Sequence, residues 1–224
     1  MRGRDLIDIT RTELDDVGLP PLWSNVEMLD YAIDAENEAC RRGRLLVDSM
    51  TDKICHISLA NNTANYKLDP RIIFIRRVKL SGVASPLSKI RVRDLDASYP
   101  GWENQSGAIR QWATGFSSGY ITFNKKPDAA IYPTLPSIKL TVIRLPLQDV
   151  GMDSELEIPL RYQRNLRHWM KFRAYSKEDG DTFDPKKAAL ALELFEREFG
   201  VASPAYVEEF IDENYNYESD EGVY

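Results

Sequence analysis

The apolar residues of this chain repeat at helical spacing, then alternate as in strands, then return to helical spacing; that succession restricts the fold more than any single motif. Residues 4 to about 17 read as a helix with Ile7, Leu14 and Val17 on one face, closed by Gly18 and Leu19-Pro20-Pro21. The next helix carries its own start signal. Ser24 stands at the N-cap and Glu27 follows three residues later, so each side chain can bind the other's backbone N–H, and Trp23 and Met28 are placed as a hydrophobic staple. Its stripe of Met28, Ala32, Ala35, Ala39, Gly43 and Leu46 is built largely of small residues, which allows another helix to approach closely.

From about residue 53 the period becomes two. Strands are expected over Ile54 to Ala60, at Tyr66 and Leu68, over Ile72 to Leu80, at Ile90 and Val92, over Tyr120 to Phe123, and over Ile138 to Leu145, with Gly, Pro and Asn between them. The stretch from Asp96 to Gly119 reads as an ordered surface loop anchored by Trp102 and Trp112. Helix returns after Ile158-Pro159: one helix over 161–177 with Tyr162, Leu166, Trp169, Met170 and Phe172 on a face, and a second opened by Asp184-Pro185 and stopped by Gly200. Ser203-Pro204 repeats the opening signal for a last helix through about Asp212. Neither helical block can bury its faces alone, so the two are expected to pack together. The expected fold is α+β: a discontinuous helical bundle domain over residues 1–51 and 156–213, an inserted antiparallel β-sheet or sandwich domain over 52–155, and an acidic tail over 214–224 that is mobile unless bound.

Chemistry finds little foothold. His56 and His168 have no partners at metal-ligand spacing, and Cys40 and Cys55, each within an apolar pattern, read as buried thiols of a reducing compartment. Asp179, Asp181 and Asp184 resemble a calcium loop only superficially: Phe183 occupies a ligand position, and these acids are better explained as a turn and a helix cap. There is no phosphate loop, no nucleophile elbow, and no Cys/His pair suited to catalysis. The adjacent acids Asp15-Asp16 and Glu208-Glu209 read as solvated charges. No catalytic residue, cofactor or metal is expected, and no enzyme activity. No apolar run reaches the ~20 residues of a membrane span, so no membrane partner is expected.

Charge is distributed unevenly. A net charge of -6 argues against a primary nucleic-acid binder but leaves room for a basic strip. Residues 71–93 hold Arg71, Arg76, Arg77, Lys79, Lys89, Arg91 and Arg93 without an acid, and the 161–177 helix holds a second acid-free run in which Arg164, Arg167 and Lys171 share about a quarter of its circumference. These are either solvated faces or contacts to DNA or to an acidic neighbour. Residues from Asp212 onward supply five acids and no base, and complementary patches on one chain suit a head-to-tail ring. Glu36 falls within the apolar side of its helix and is expected to form a buried ion pair, an arginine of the 161–177 helix being the natural partner.

The stretch Leu22-Trp23-Ser24 through Glu27-Met28-Leu29-Asp30-Tyr31-Ala32, continuing to Ala35-Glu36 and Cys40-Arg41-Arg42, resembles the opening helix of the head-to-tail adaptor proteins of tailed bacteriophages. These include head-completion, gatekeeper and tail-tube-top connector proteins. Ile158-Pro159-Leu160-Arg161-Tyr162, Trp169, Ala174-Tyr175, Asp181-Thr182 and Phe199-Gly200 are similar to the family's second signature; Leu68-Asp69-Pro70-Arg71 and Tyr99-Pro100-Gly101-Trp102 resemble its strand region. The resemblance implies a structural virion protein, made in the host bacterial cytoplasm. It implies a usually dodecameric ring beneath the portal protein that extends the DNA channel, passes DNA without reading its sequence, and provides a platform for tail or nozzle proteins. The candidate portal or subunit interface is Tyr206, Phe210, Tyr215, Tyr217 and Tyr224, with Arg164, Arg167 and Lys171, the aromatic-acidic end being suited to folding on binding the portal. A DNA-binding accessory factor of packaging or head completion is the rival reading.

Overall fold

The computed structural model describes residues 1–204. The chain forms two compact units, one made of Met1–Leu46 with Arg144–Ala202 and the other centred on Val47–Ile143.

The first unit is helical: α1 Gly3–Glu13, α2 Asn25–Gly43, then, after the excursion through the second unit, α5 Leu160–Gln163, α6 Leu166–Ser176 and α7 Pro185–Phe199. Within α2 the box between Ser24 and Glu27 is closed in both directions, and Trp23 and Met28 are both buried, as the staple requires. One core joins Leu6, Met28, Ala32, Ala35, Leu166, Met170, Phe195 and Phe199. The alanines of α2 let α6 lie close, and Trp169, Phe195 and Phe199 interlock with ring centroids 4.6–5.0 Å apart. Gly3 is required where α1 starts: a Cβ there would meet the Gly151 carbonyl oxygen at 2.4 Å, because Gly3 and Arg4 donate to the carbonyls of Ser154 and Met152.

The second unit holds two sheets. In the first, β8 (Ser137–Arg144) is the common partner of β1 (Leu46–Asp48), β2 (His56–Ser58) and β4 (Ile72–Leu80), with His56 opposite Lys139 in the antiparallel β2–β8 pair. In the second the order is β3 (Asn65–Lys67), β7 (Tyr120–Phe123), β6 (Gln111–Ala113), β5 (Ser88–Lys89). The α+β class is as expected. The all-antiparallel expectation is corrected, because β5 runs parallel to β6.

Several local expectations also give way. Helix α1 stops at Glu13 because Asp15 turns left-handed (φ 58°), so Val17 is solvent-exposed and not part of a buried face. Ile54 and Cys55 are buried in the short helix α3 (Asp52–Cys55), and Val92 opens helix α4 (Val92–Ser98). The 96–119 stretch contains the end of α4, a 3-10 turn and β6, yet both tryptophan anchors hold: Trp102 donates to Asp96 at 2.8 Å and Trp112 to the Leu87 carbonyl at 3.2 Å. Helix 161–177 is two helices, broken where buried Gln163 donates its amide to the carbonyls of Leu156 and Ile158. Among the described residues, no helix is long and apolar enough to cross a membrane.

Candidate interface residues

Helix α6 turns Leu166, Met170 and Ala174 into the core, one residue every four, and this leaves its cations on the two flanks. On one flank Arg167 and Lys171 straddle Glu13 of α1, at 2.9 and 3.1 Å. On the other, Arg173 pairs with Asp34 and Lys177 reaches Glu27 at 2.6 Å, both acids belonging to α2. The basic run of this helix is therefore largely consumed inside its own unit. Arg164 is exposed, with its backbone carbonyl accepting from Arg167. Arg164, Arg167 and Lys171, grouped by sequence spacing, do not form one solvent-facing patch.

The same pairings set the local acidities. Lys177's hydrogen bond, followed by those of the Ser24 backbone and hydroxyl, holds Glu27 down to about 2. His168, half-buried beside Arg167 and Lys171, is pushed below its ordinary value by burial first and those cations second. No group of His, Cys, Asp or Glu among the described residues is arranged to hold a metal ion.

Glu36 is 2% exposed. Its expected ion-pair partner is corrected: Oε1 accepts from the backbone N–H of Glu157 at 2.7 Å and of Ile158 at 3.2 Å. The arginines of α6 are drawn away to acids nearer the surface, and the re-entering chain supplies donors that need no desolvated guanidinium. Burial raises the Glu36 carboxyl above the ordinary range against the pull of both N–H groups. Glu157 in turn accepts from Arg144 at 2.5 Å and from the Leu147 N–H at 2.7 Å, so one polar chain fixes the return from β8. Cys40 and Cys55 are both buried outside any disulfide, and burial pushes the Cys40 thiol far up, which makes it a packing residue.

Sequence reasoning missed two features. Arg42, given no packing role by its place in the sequence, clasps α7: its guanidinium contacts Glu38 at 2.6 Å and Glu196 at 3.3 Å and lies 5.1 Å over the Trp169 ring. Asp16 is likewise 3% exposed and not solvated, binding Arg11 and the Leu22 N–H at 2.6 Å, while Arg11 also holds the Trp23 carbonyl at 2.7 Å. That anchor presents Val17, Leu19, Leu22 and Val26 outward, with Leu19 96% exposed. A braced segment with exposed apolar residues suits a protein contact, and its cue in the sequence was Pro20-Pro21 among bulky residues.

The candidates Tyr206, Phe210, Tyr215, Tyr217 and Tyr224, the last expected helix and the acidic tail lie outside the described residues. No curated protein matches this chain. Residues 1–210 match the family of the SU10 adaptor protein, and the chain belongs to that family of phage adaptors.

Proposed function

We propose that this SU10-type adaptor acts as a structural component of the virion, a ring of copies seated on the portal that extends the DNA channel and carries the tail or nozzle proteins. The family match across residues 1–210 carries the reading. The chemistry of the described residues is consistent with it: Glu27, Glu36 and Glu157 serve a cap and a chain crossing, and the apolar residues Val17, Leu19 and Leu22 of the braced α1–α2 loop and Val26 at the start of α2 are exposed. Twelve-fold closure, with DNA passing without sequence-specific contact, is part of the proposal and is supported by the resemblance to connector proteins. The aromatic-acidic residues Tyr206, Phe210, Tyr215, Tyr217 and Tyr224 and the exposed Arg164 are proposed contacts to portal or neighbouring subunit. Negative-stain electron microscopy of the protein with its portal tests the proposal: added ring density on the portal is expected, and a protein that stays monomeric beside unaltered portal overturns it.

A further inference from the structure

We propose that the solvent face of the β1-β8-β2/β4 sheet is the docking site for residues 205–224 of a neighbouring copy of this chain. The inference rests on the ring reading and names the partner of its terminal segment. Within the sheet, His56 stands opposite Lys139, and the Ser81 N–H donates to the Ser137 carbonyl at 2.8 Å, which brings Lys79 of β4 level with Lys139 of β8. Val78, Leu80, Ile138 and Leu140 are at most 2% exposed and occupy the inner face, so alternation turns Arg77, Lys79 and Lys139 outward.

Like charges directly across a strand pair are unfavourable. Among the described residues, no carboxylate lies within 4.0 Å of Arg77, Lys79 or Lys139. His56 is the exception in this row, 3.1 Å from Asp52. The other basic run is largely neutralised by Glu13, Asp34 and Glu27, so this face offers an anionic partner more uncompensated charge. Residues 205–224 provide one: seven acidic residues, no basic residue, and five aromatic rings. Exposed Val47 and Met50 of the same unit offer apolar surface to such rings. The 25 residues beyond the end of α7 can span at most about 90 Å when fully extended, a reach on the scale of a neighbouring subunit. Duplex DNA is the less favoured occupant: three cations on a chain of net charge -6 make a short strip for a phosphate backbone.

The test uses full-length protein in a mixture of isotopically light and heavy copies, with the photo-reactive p-benzoylphenylalanine at position 215. Irradiation is expected to give heavy–light crosslinks to peptides spanning 72–80 or 137–144. The double variant Lys79→Glu/Lys139→Glu is expected to lower their yield about tenfold, and adding Glu208→Lys/Glu209→Lys to restore it. Crosslinks confined to one chain, crosslinks at another surface, or a yield indifferent to the charge reversal overturn the proposal. So does binding of duplex DNA that the double variant abolishes while no crosslink forms. Electron micrographs of the same samples separate the two readings: rings without heavy–light crosslinks at the sheet refute the docking alone, whereas absence of both refutes the ring as well.

Discussion

The carboxylate of Glu36 accepts from two backbone N–H groups in an apolar wall, and its two protonation states weigh differently on the fold. Because burial raises its pKa above the unfolded value, its stabilising contribution is complete below that unfolded value and is lost as pH rises through the folded one. Glu36→Gln keeps an acceptor without a charge. In urea unfolding at pH 7 it is expected to match or exceed the parent, with the difference vanishing in acid. Glu36→Leu strands both N–H groups and is expected to cost about 1–3 kcal/mol for each. A Gln variant as unstable as the Leu variant would contradict this account. That Glu36 needed a partner was legible from helical spacing; the partner was not, because backbone donors at Glu157 and Ile158 reach it only through the tertiary crossing. Arg42 went unread for a similar reason, since its aromatic seat on Trp169 and Phe195 comes from two later helices.

At the scale of elements, caps were the most legible features because they act between near neighbours in the chain. Both the Ser24–Glu27 box and the Asp184 cap, which accepts from Lys186 and Lys187, stand where the sequence pattern placed them. Ser24→Ala is expected to lower stability by about 1 kcal/mol in chemical unfolding. Glu27, held down to about 2 by Lys177, contributes with the opposite sign to Glu36: its support is present above the ordinary carboxylate value and is lost as pH falls from there toward 2. Glu27→Gln should therefore flatten the acid limb of the stability profile, and an unchanged limb would contradict the pairing. Met170, fully buried where α6 meets the core, should lose about 2–5 kcal/mol on truncation to alanine. Strand and break positions were less legible. The alternation of Ile90 and Val92 read as strand, but Arg91 and Asp94 pair at 2.8 Å across the first turn of α4. The interruption before α6 depends on Gln163 reaching carbonyls five and seven residues back, which no apolar period encodes.

For the whole molecule, the helix–strand–helix order of the periods sufficed for the α+β class, since each block carries its own repeat over many residues. Interfaces are harder to read, because a run of like charge looks the same whether its partners lie in the chain or beyond it. The α6 cations meet Glu13, Asp34 and Glu27, acids placed more than 130 residues away in sequence, and only folding reveals that the patch is closed. Closure of that patch and the net charge of -6 lead us to expect weak binding to duplex DNA at physiological salt; a tight complex that loses affinity steeply with added salt would instead favour the accessory-factor reading. The most direct measurement of the adaptor's role is electron microscopy of the purified protein mixed with its cognate portal. A closed ring of adaptor density coaxial with the portal channel is the predicted result; an unchanged portal particle with the adaptor left monomeric would contradict it.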